Sequence, residues 1–295
     1  MKVLLITGGN SSERRISFMS ARNVKSALEE NGHKVKLYDL KSGYETLKNL
    51  SKNFDVLFPV LHGEEGEGGK LHKFLSKLEK PIVGTKNYKA MQKAWYKIPF
   101  KKFCDKNNIL TPKWKTVKSV TDVLKFGFPC VLKTSSGGSS REVFILKSKE
   151  DLNKYKRIFF KHHDLFAERY IVGPEVTVAI LNGKVLPILE IVSPKGEWFD
   201  YKNKYWGLTQ EIPNAPSLSG RTRNKVQEIS LKIHKHFRLG SYSRTDFMTD
   251  ELQTPYALEI NTIPGMTQGS LVPKQAKAAG ISFNQMMEIL IKSAK

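Results

Sequence analysis

The chain has 295 residues, of which 40% are hydrophobic and 26% are charged, a balance typical of a globular protein rather than a disordered one. Length alone predicts about two domains. The longest apolar runs, at residues 3–6 and 176–181, are far too short for a bilayer span or a signal peptide, so we expect a soluble cytoplasmic protein. The two cysteines, Cys104 and Cys130, predict neither a disulfide framework nor a zinc site.

The formal net charge of +21 raises nucleic acid, an anionic membrane or a phosphorylated substrate as alternative partners. Lysines are scattered over most of the chain without a dense run, and no basic helix carries interleaved aromatic residues. We therefore favour a solvated, lysine-rich surface. A dedicated nucleic-acid face is the alternative, and neither nucleic acid nor a membrane is expected as a partner.

The first third of the chain alternates strand and helix patterns. We predict strands at residues 1–9, 34–40, 55–61 and 81–84, and helices at residues 17–31 and 71–78. Strands and helices at this spacing form βαβ units, so residues 1–87 are predicted to form a parallel, doubly wound α/β domain.

The rest of the chain predicts two further α/β segments, at residues 88–173 and 174–295. The first opens with helical residues 88–108 and has strands at 128–133 and 142–146, and it ends after residues 168–171. The second has strands at 176–181, 186–191, 245–248 and 256–261, with helices at 225–237 and 283–292.

The run LEINTIPGMTQGSL at residues 258–271 carries the strongest chemical signal. Successive strand residues alternate faces, so Glu259 and Asn261 should share one face while Leu258 and Ile260 enter an apolar layer. Upstream, Arg244 and Asp246 have the same spacing. If the two segments pair as a hairpin, these oxygen ligands suit Mg²⁺. An ordinary polar face on a half-exposed hairpin is the alternative.

Three glycine-rich segments follow predicted strands. Lys133 precedes TSSGGSS, a loop that can present one cation and several N–H groups to phosphate, or can be a plain solvent loop. Glu13, after Gly8-Gly9, suits an ammonium group better than a pyrophosphate, although a helix cap by Ser12 or Glu13 is an equally good explanation. The segment HGEEGEGG, which begins at His62, taken alone favours a connecting loop.

Taken in order, these segments resemble the D-alanine:D-alanine ligases of the ATP-grasp superfamily along essentially the whole chain. The matching motifs are GGNSSERRIS, HGEEGEGG, FPCVLK with GGSS, GPEVTVAIL, FDYKNKY, SRTDFM and LEINTIPGMTQGSLVP. The resemblance implies an ATP-grasp fold with a Rossmann-like N-terminal domain at residues 1–87. It also implies central and C-terminal ATP-grasp subdomains at residues 88–173 and 174–295.

The implied reaction forms D-alanyl-D-alanine for peptidoglycan. The carboxylate of a first D-alanine takes the γ-phosphoryl group of ATP, and the amine of a second D-alanine attacks the resulting acyl phosphate. The resemblance implies two Mg²⁺ ions, with Mn²⁺ as a substitute, and a homodimer.

Individual positions acquire roles only through this resemblance. ATP phosphates are expected at Lys93, Lys133 and Lys204, adenine at the hinge Glu168, Arg169, Tyr170 and Ile171, and ribose at Glu175. The expected metal ligands are Asp246, Glu259 and Asn261. The expected oxyanion site is Arg244 with the backbone of Gly265. Substrate contacts are expected from Glu13, His62 and Ser270, with Ser139 and Tyr205 linking a lid to Glu13.

Tyr205 favours an amine as second nucleophile, because phenylalanine there goes with lactate in this family. Departures from the pattern are Gly68, Thr134, Arg141-Glu142 and the stretch at residues 207–217. They favour two alternatives, a ligase for another amino-acid pair or an impaired nucleotide- or polyanion-binding relative.

Overall fold

The computed structural model describes residues 1–138, 142–194 and 209–294. The strands are β1 (Lys2–Thr7), β2 (Lys34–Asp39), β3 (Val56–Pro59), β4 (Trp114–Thr116), β5 (Cys130–Thr134), β6 (Val143–Leu146), β7 (Leu165–Arg169), β8 (Glu175–Leu181), β9 (Lys184–Val185), β10 (Leu189–Val192), β11 (Gln210–Pro213), β12 (Tyr242–Thr249) and β13 (Pro255–Asn261). The helices are α1 (Arg14–Glu30), α2 (Tyr44–Ser51), α3 (Glu64–Glu67), α4 (Lys70–Leu75), α5 (Tyr88–Trp95), α6 (Lys97–Lys106), α7 (Val120–Phe126), α8 (Lys149–Tyr155), α9 (Ile158–Lys161), α10 (Gly220–Phe237), α11 (Leu271–Ala278) and α12 (Phe283–Lys292).

The first sheet is parallel and has the order β2-β1-β3. Its central strand β1 is fully buried after Lys2, as the apolar run predicts. The predicted strand at residues 81–84 is reduced to a single bridge between Leu57 and Ile82. The α/β prediction for this part of the chain is confirmed.

The second sheet is antiparallel, in the order β4-β7-β5-β6. Lys133 on β5 stands opposite Val143 on β6 and Phe166 on β7. The sheet therefore places Lys133 near the end of a central strand, directly before the TSSGGSS segment, which is called the glycine-rich loop below.

The third sheet is also antiparallel. Its order is β11-β10-β8-β12-β13, and β9 pairs with β8. The strand predicted at residues 186–191 is found only from Leu189 onward, in β10, and Pro187 lies in the break between β9 and β10. Proline has no N–H to donate to a ladder, which explains the interruption.

The apolar cores join segments that are distant in sequence. One core combines Val3 and Val24 of the first sheet and α1 with Met286 and Leu290 of α12. The last helix therefore packs against the N-terminal α/β layer. A second core surrounds Phe247, which is completely buried between β8, α10 and neighbouring elements.

Among the described residues, no helix is both long and apolar enough to cross a membrane. Cys104 and Cys130 are free and buried. Burial raises the pKa of Cys104 to about 12, so this thiol stays protonated at neutral pH.

Phe247→Ala tests the second core. Removing a buried ring leaves a cavity, so the free energy of unfolding should fall by ~3–5 kcal/mol in urea denaturation monitored by circular dichroism. Leu252→Ala is the control, because Leu252 is 86% exposed and should change little. Equal denaturation midpoints for the two variants would contradict this assignment of the core.

Candidate active site

A cavity of about 400 Å³ lies where the three sheets meet. Its lining residues come from all three predicted segments. They are Glu13, Ile16, Met19, His62, Glu67, Ala94, Trp95, Lys97, Gly137, Gly138, Thr209, Glu211, Arg244, Glu259, Ile260, Asn261, Gly265, Thr267, Gly269, Ser270, Leu271 and Lys274.

The β12–β13 hairpin supplies one wall. Arg244 stands opposite Asn261, and Asp246 stands opposite Glu259. Directly opposite residues share a face, so the predicted pairing and common polar face are confirmed. A β-bulge between Asp246 and its neighbour shifts the register, and Leu258 is only half-buried instead of lying fully in the apolar layer.

Arg244 and Asp246 form a buried, two-pronged ion pair. Arg244 Nε lies 2.8 Å from Asp246 Oδ1, and Nη2 lies 2.7 Å from Oδ2. Thr177 Oγ1 donates a further hydrogen bond of 2.6 Å to Oδ1. Burial opposes the charge on Arg244, but the attraction and hydrogen bonds of Asp246 outweigh it and raise the pKa of the guanidinium. Arg244 is thus a fixed cation in the cavity wall.

Lys97 connects the hairpin to the glycine-rich loop. Its Nζ lies 2.8 Å from the carbonyl oxygen of Gly137 and 3.3 Å from Glu259 Oε2. The backbone N–H of Lys97 also donates to Ser135, so the start of α6 is attached to the loop at two points. We did not predict a role for Lys97 from the sequence.

Behind the cavity, one carboxylate is buried between two lysines. Glu168 Oε2 lies 2.5 Å from Lys101 Nζ, and Oε1 lies 2.6 Å from Lys133 Nζ. Lys101 and Glu168 are almost completely buried. Burial raises the pKa of Glu168, but the two cations outweigh that effect and lower it, so the carboxylate stays ionised.

The two lysines respond differently to the same burial. Burial lowers the pKa of Lys101, and the nearby Lys133 adds to that effect. Burial also acts to lower the pKa of Lys133, but attraction to Glu168, Glu259 and Glu175 raises it overall. Lys133 is therefore a firm cation facing several carboxylates. Lys101 is a further residue that we did not predict, because its only sequence signal is i,i+4 spacing from Lys97 in a lysine-rich helix.

The N-terminal segment brings Glu13 to the glycine-rich loop. A Cβ built on Gly138 would lie 3.2 Å from the Trp95 ring and 3.5 Å from Glu13 Oε2. Glu13 occupies the N-cap position of α1, but its side chain makes no capping hydrogen bond. The helix-cap alternative for this carboxylate is therefore wrong. The side chain of Glu13 lines the cavity instead.

His62 lies beside this carboxylate in the cavity lining. Its Nε2 is 3.1 Å from Ser20 Oγ, and the Met266 N–H donates to the same hydroxyl at 3.3 Å. His62 thus connects the first sheet to the loop after β13. HGEEGEGG is part of the site rather than only a connecting loop.

Gly265 and Ser270 lie together in the cavity lining. A Cβ on Gly265 would approach Ser270 Oγ to 2.8 Å, so only glycine fits without displacing the hydroxyl. Thr267 N–H and Oγ1 both lie within hydrogen-bond distance of Ser270 Oγ, at 3.1 and 2.8 Å. Lys274, one turn further along α11, pairs with Glu211 at 2.6 Å.

The remaining predicted site residues that the structure describes are not gathered in the cavity lining. Lys93 is exposed on α5 and is not among the residues that line the cavity. In the predicted hinge, Arg169 is exposed and Ile171 is buried, while Glu168 points to the two lysines. Their nucleotide roles stay predictions. Ser139, Lys204 and Tyr205 lie outside the described residues, as does Arg141.

The donor set of the hairpin suits Mg²⁺, which usually takes one or two carboxylates plus phosphate oxygens and water. Asp246, Glu259 and Asn261 offer two carboxylates and one amide oxygen on one face. Within the described residues, no three His, Cys, Asp or Glu side chains are grouped as a ready-made metal site. A cation here would need further oxygen ligands besides these three residues, such as phosphate oxygens or water.

Comparison with known proteins decides the family. The family described as D-ala D-ala ligase C-terminus matches residues 96–292. A D-alanine–D-alanine ligase of Maridesulfovibrio salexigens is 37% identical over 99% of this chain and 98% of its own. The chain belongs to the D-alanine–D-alanine ligase family. A ligase of this family from Thermotoga petrophila is 36% identical over 100% of this chain and 97% of its own length.

Solved structures of the ligase family have the same fold. The D-alanine–D-alanine ligase of Bacillus anthracis complexed with ATP has a TM-score of 0.85 and 31% identity, and covers 99% of this chain and 97% of its own. The VanG D-Ala:D-Ser ligase of Enterococcus faecalis has a TM-score of 0.81 and 26% identity, over 99% and 98% of the two chains. The ATP-grasp fold predicted from the motifs is therefore confirmed.

Glu168→Gln tests the buried charges of this ligase. The substitution leaves Lys101 and Lys133 without a neutralising carboxylate, so the free energy of unfolding should fall by ~3–5 kcal/mol in chemical denaturation. Lys101→Met should cost less than half of that, because Glu168 keeps Lys133 as a partner.

Glu29→Gln is the matched control, because the Lys25–Glu29 pair lies on the surface of α1 with side chains 35% and 43% exposed. It should leave the denaturation midpoint nearly unchanged. If Glu168→Gln also left the denaturation midpoint unchanged, the buried cluster would not hold the second sheet and α6 together.

Proposed function

We propose that this ligase joins two D-alanine molecules with ATP, releasing ADP and phosphate, to supply D-alanyl-D-alanine for peptidoglycan. The observation that carries the proposal is the convergence of Glu13, Arg244, Gly265 and Ser270 on one cavity. A carboxylate, a cation, a backbone N–H and a hydroxyl are the groups that two small zwitterions require. A cytoplasmic location and a homodimer stay predictions for this chain.

The first substrate would lie between Glu13 and Arg244. The carboxylate of Glu13 would bind the ammonium group of the first D-alanine, in contact distance of the glycine-rich loop at Gly138. Arg244 would face the carboxylate that becomes phosphorylated. Because Asp246 already holds the guanidinium with two hydrogen bonds, little ordering is needed when charge develops.

Cations around the nucleotide would neutralise phosphate charge during phosphoryl transfer. Lys133 is held by Glu168 near the end of β5, and Lys97 is held by the loop carbonyl of Gly137. Asp246, Glu259 and Asn261 would hold Mg²⁺, which when bound neutralises phosphate charge. The residues of this chain contribute position and electrostatics, which dominate phosphoryl transfer.

The second step would use the end of the cavity near Ser270. The amine of the second D-alanine attacks the acyl phosphate, and the tetrahedral intermediate loses phosphate to leave the peptide bond. Arg244 and the Gly265 N–H would stabilise the negative oxygen of that intermediate. A D-alanine–D-serine ligation is the second candidate, favoured by the likeness to VanG, described as a D-Ala:D-Ser ligase.

The deciding experiment incubates the purified protein with ATP, Mg²⁺ and equal concentrations of D-alanine and D-serine. We expect D-alanyl-D-alanine as the main product by mass spectrometry, with one phosphate released per dipeptide. A dominant D-alanyl-D-serine product would favour the second candidate. ATP binding without any dipeptide would refute the proposed ligation.

Glu259→Gln tests the metal assignment. The substitution keeps the shape of the side chain and removes one charge, so turnover should fall ~100-fold or more, comparable to losing one electrostatic transition-state contact. Glu251→Gln is the matched control, because Glu251 is exposed in the turn of the same hairpin. Unchanged turnover in Glu259→Gln would remove Glu259 from the set of metal ligands.

A further inference from the structure

Three cations line the described part of the cavity, and each lies beside a carboxylate. Lys97 is 3.3 Å from Glu259, and Arg244 is 2.7 Å from Asp246. Both lie at the β12–β13 hairpin, where the nucleotide and the first substrate are proposed to bind. The third cation, Lys274, is 2.6 Å from Glu211, which also lines the cavity, and has no part in the steps above.

Lys274 is presented from the same helical turn as Ser270. Its backbone N–H donates to the Ser270 carbonyl at 3.1 Å, and both side chains line the cavity. Ser270 in turn contacts Thr267, which also lines the cavity close to Gly265. Lys274 and Ser270 therefore lie one helical turn apart in the lining of the same cavity, and Ser270 carries the hydroxyl that is expected to meet the second substrate.

The pair with Glu211 fixes Lys274 without using up its donors. Glu211 lies on β11 with its side chain 14% exposed, and the Lys274 side chain is 35% exposed. An ammonium group carries three N–H donors, so one carboxylate oxygen leaves room for a second anionic partner. A lysine tethered to the wall of a cavity loses less side-chain freedom when that partner arrives.

The second amino acid brings such an anionic partner. Its amine must be the nucleophile, so only its α-carboxylate stays charged through the reaction. A carboxylate taken from water into a partly enclosed cavity needs a cation or several hydrogen bonds. Ser270 supplies one hydroxyl, and among the described lining residues Lys274 is the cation closest to it along the chain.

We infer that Lys274 is a substrate-binding residue for the α-carboxylate of the second amino acid. The inference rests on the proposed ligation and adds a specificity determinant to it. Lys274 makes the second site select a free amino acid over an amine that lacks a carboxylate. A structural tie between α11 and β11, with no contact to substrate, is the alternative that the experiment must separate.

The probe is D-alaninamide, which has the amine of D-alanine but no carboxylate. It cannot be phosphorylated as a first substrate, so it enters only the second site. The protein is given ATP, Mg²⁺, D-alanine and a series of D-alaninamide concentrations. Mass spectrometry measures the ratio of D-alanyl-D-alanine to D-alanyl-D-alaninamide.

We expect wild-type protein to prefer D-alanine. Lys274→Met keeps the length of the side chain and removes its charge, so the preference should fall at least ~10-fold, as when a hydrogen bond to a charged group is lost. The rate of D-alanyl-D-alaninamide formation should stay within about twofold, because that substrate has no carboxylate to lose contact with. Lys274→Arg should restore most of the preference.

Lys292→Met is the control, since Lys292 forms a comparable pair with Glu288 at 3.1 Å on α12 and is 71% exposed. If Lys274→Met lowers both products equally, or leaves their ratio unchanged, the inference is overturned and Lys274 is structural. Wild-type protein that forms neither product refutes the ligation itself, so the two failures are distinguishable.

Discussion

The pairing of β12 with β13 is the constraint on which the rest of the site depends. Its register sets Asp246 opposite Glu259 and Arg244 opposite Asn261, so four polar side chains occupy one face. A shift by one residue would turn this set toward the core. The fully buried Phe247 and the turn at Asp250 oppose such a shift, because the first needs its pocket and the second orders the connection.

Around this hairpin, buried and half-buried charges lie in ion pairs. Asp246 holds Arg244, Glu168 holds both Lys101 and Lys133, and Glu259 meets Lys97. Taking ions out of water is costly unless they are paired. The cations that the proposed chemistry needs are thus already oriented before any phosphate arrives, and transition-state charge meets groups that need little reorganisation.

The lysines that give the chain its high positive charge fall into two groups by location. Most lysines lie on the surface, as their scattered distribution predicts, and they say little about mechanism. A few are buried or line the cavity, and these are the informative ones. Composition cannot separate the two groups, because Lys101 and Lys102 are neighbours on the same helix, yet the first is buried and the second is exposed.

The sequence by itself determined the α/β class, the family and the polar face of the hairpin, because alternation along a strand and ordered motifs are local properties. It predicted Glu13, His62 and Ser270 as site residues, and all three line the cavity. It missed Lys97, Lys101 and Lys274, and it missed the bulge beside Leu258. Those depended on tertiary structure, since only the folded chain decides which lysines lie beside a carboxylate from a distant part of the sequence.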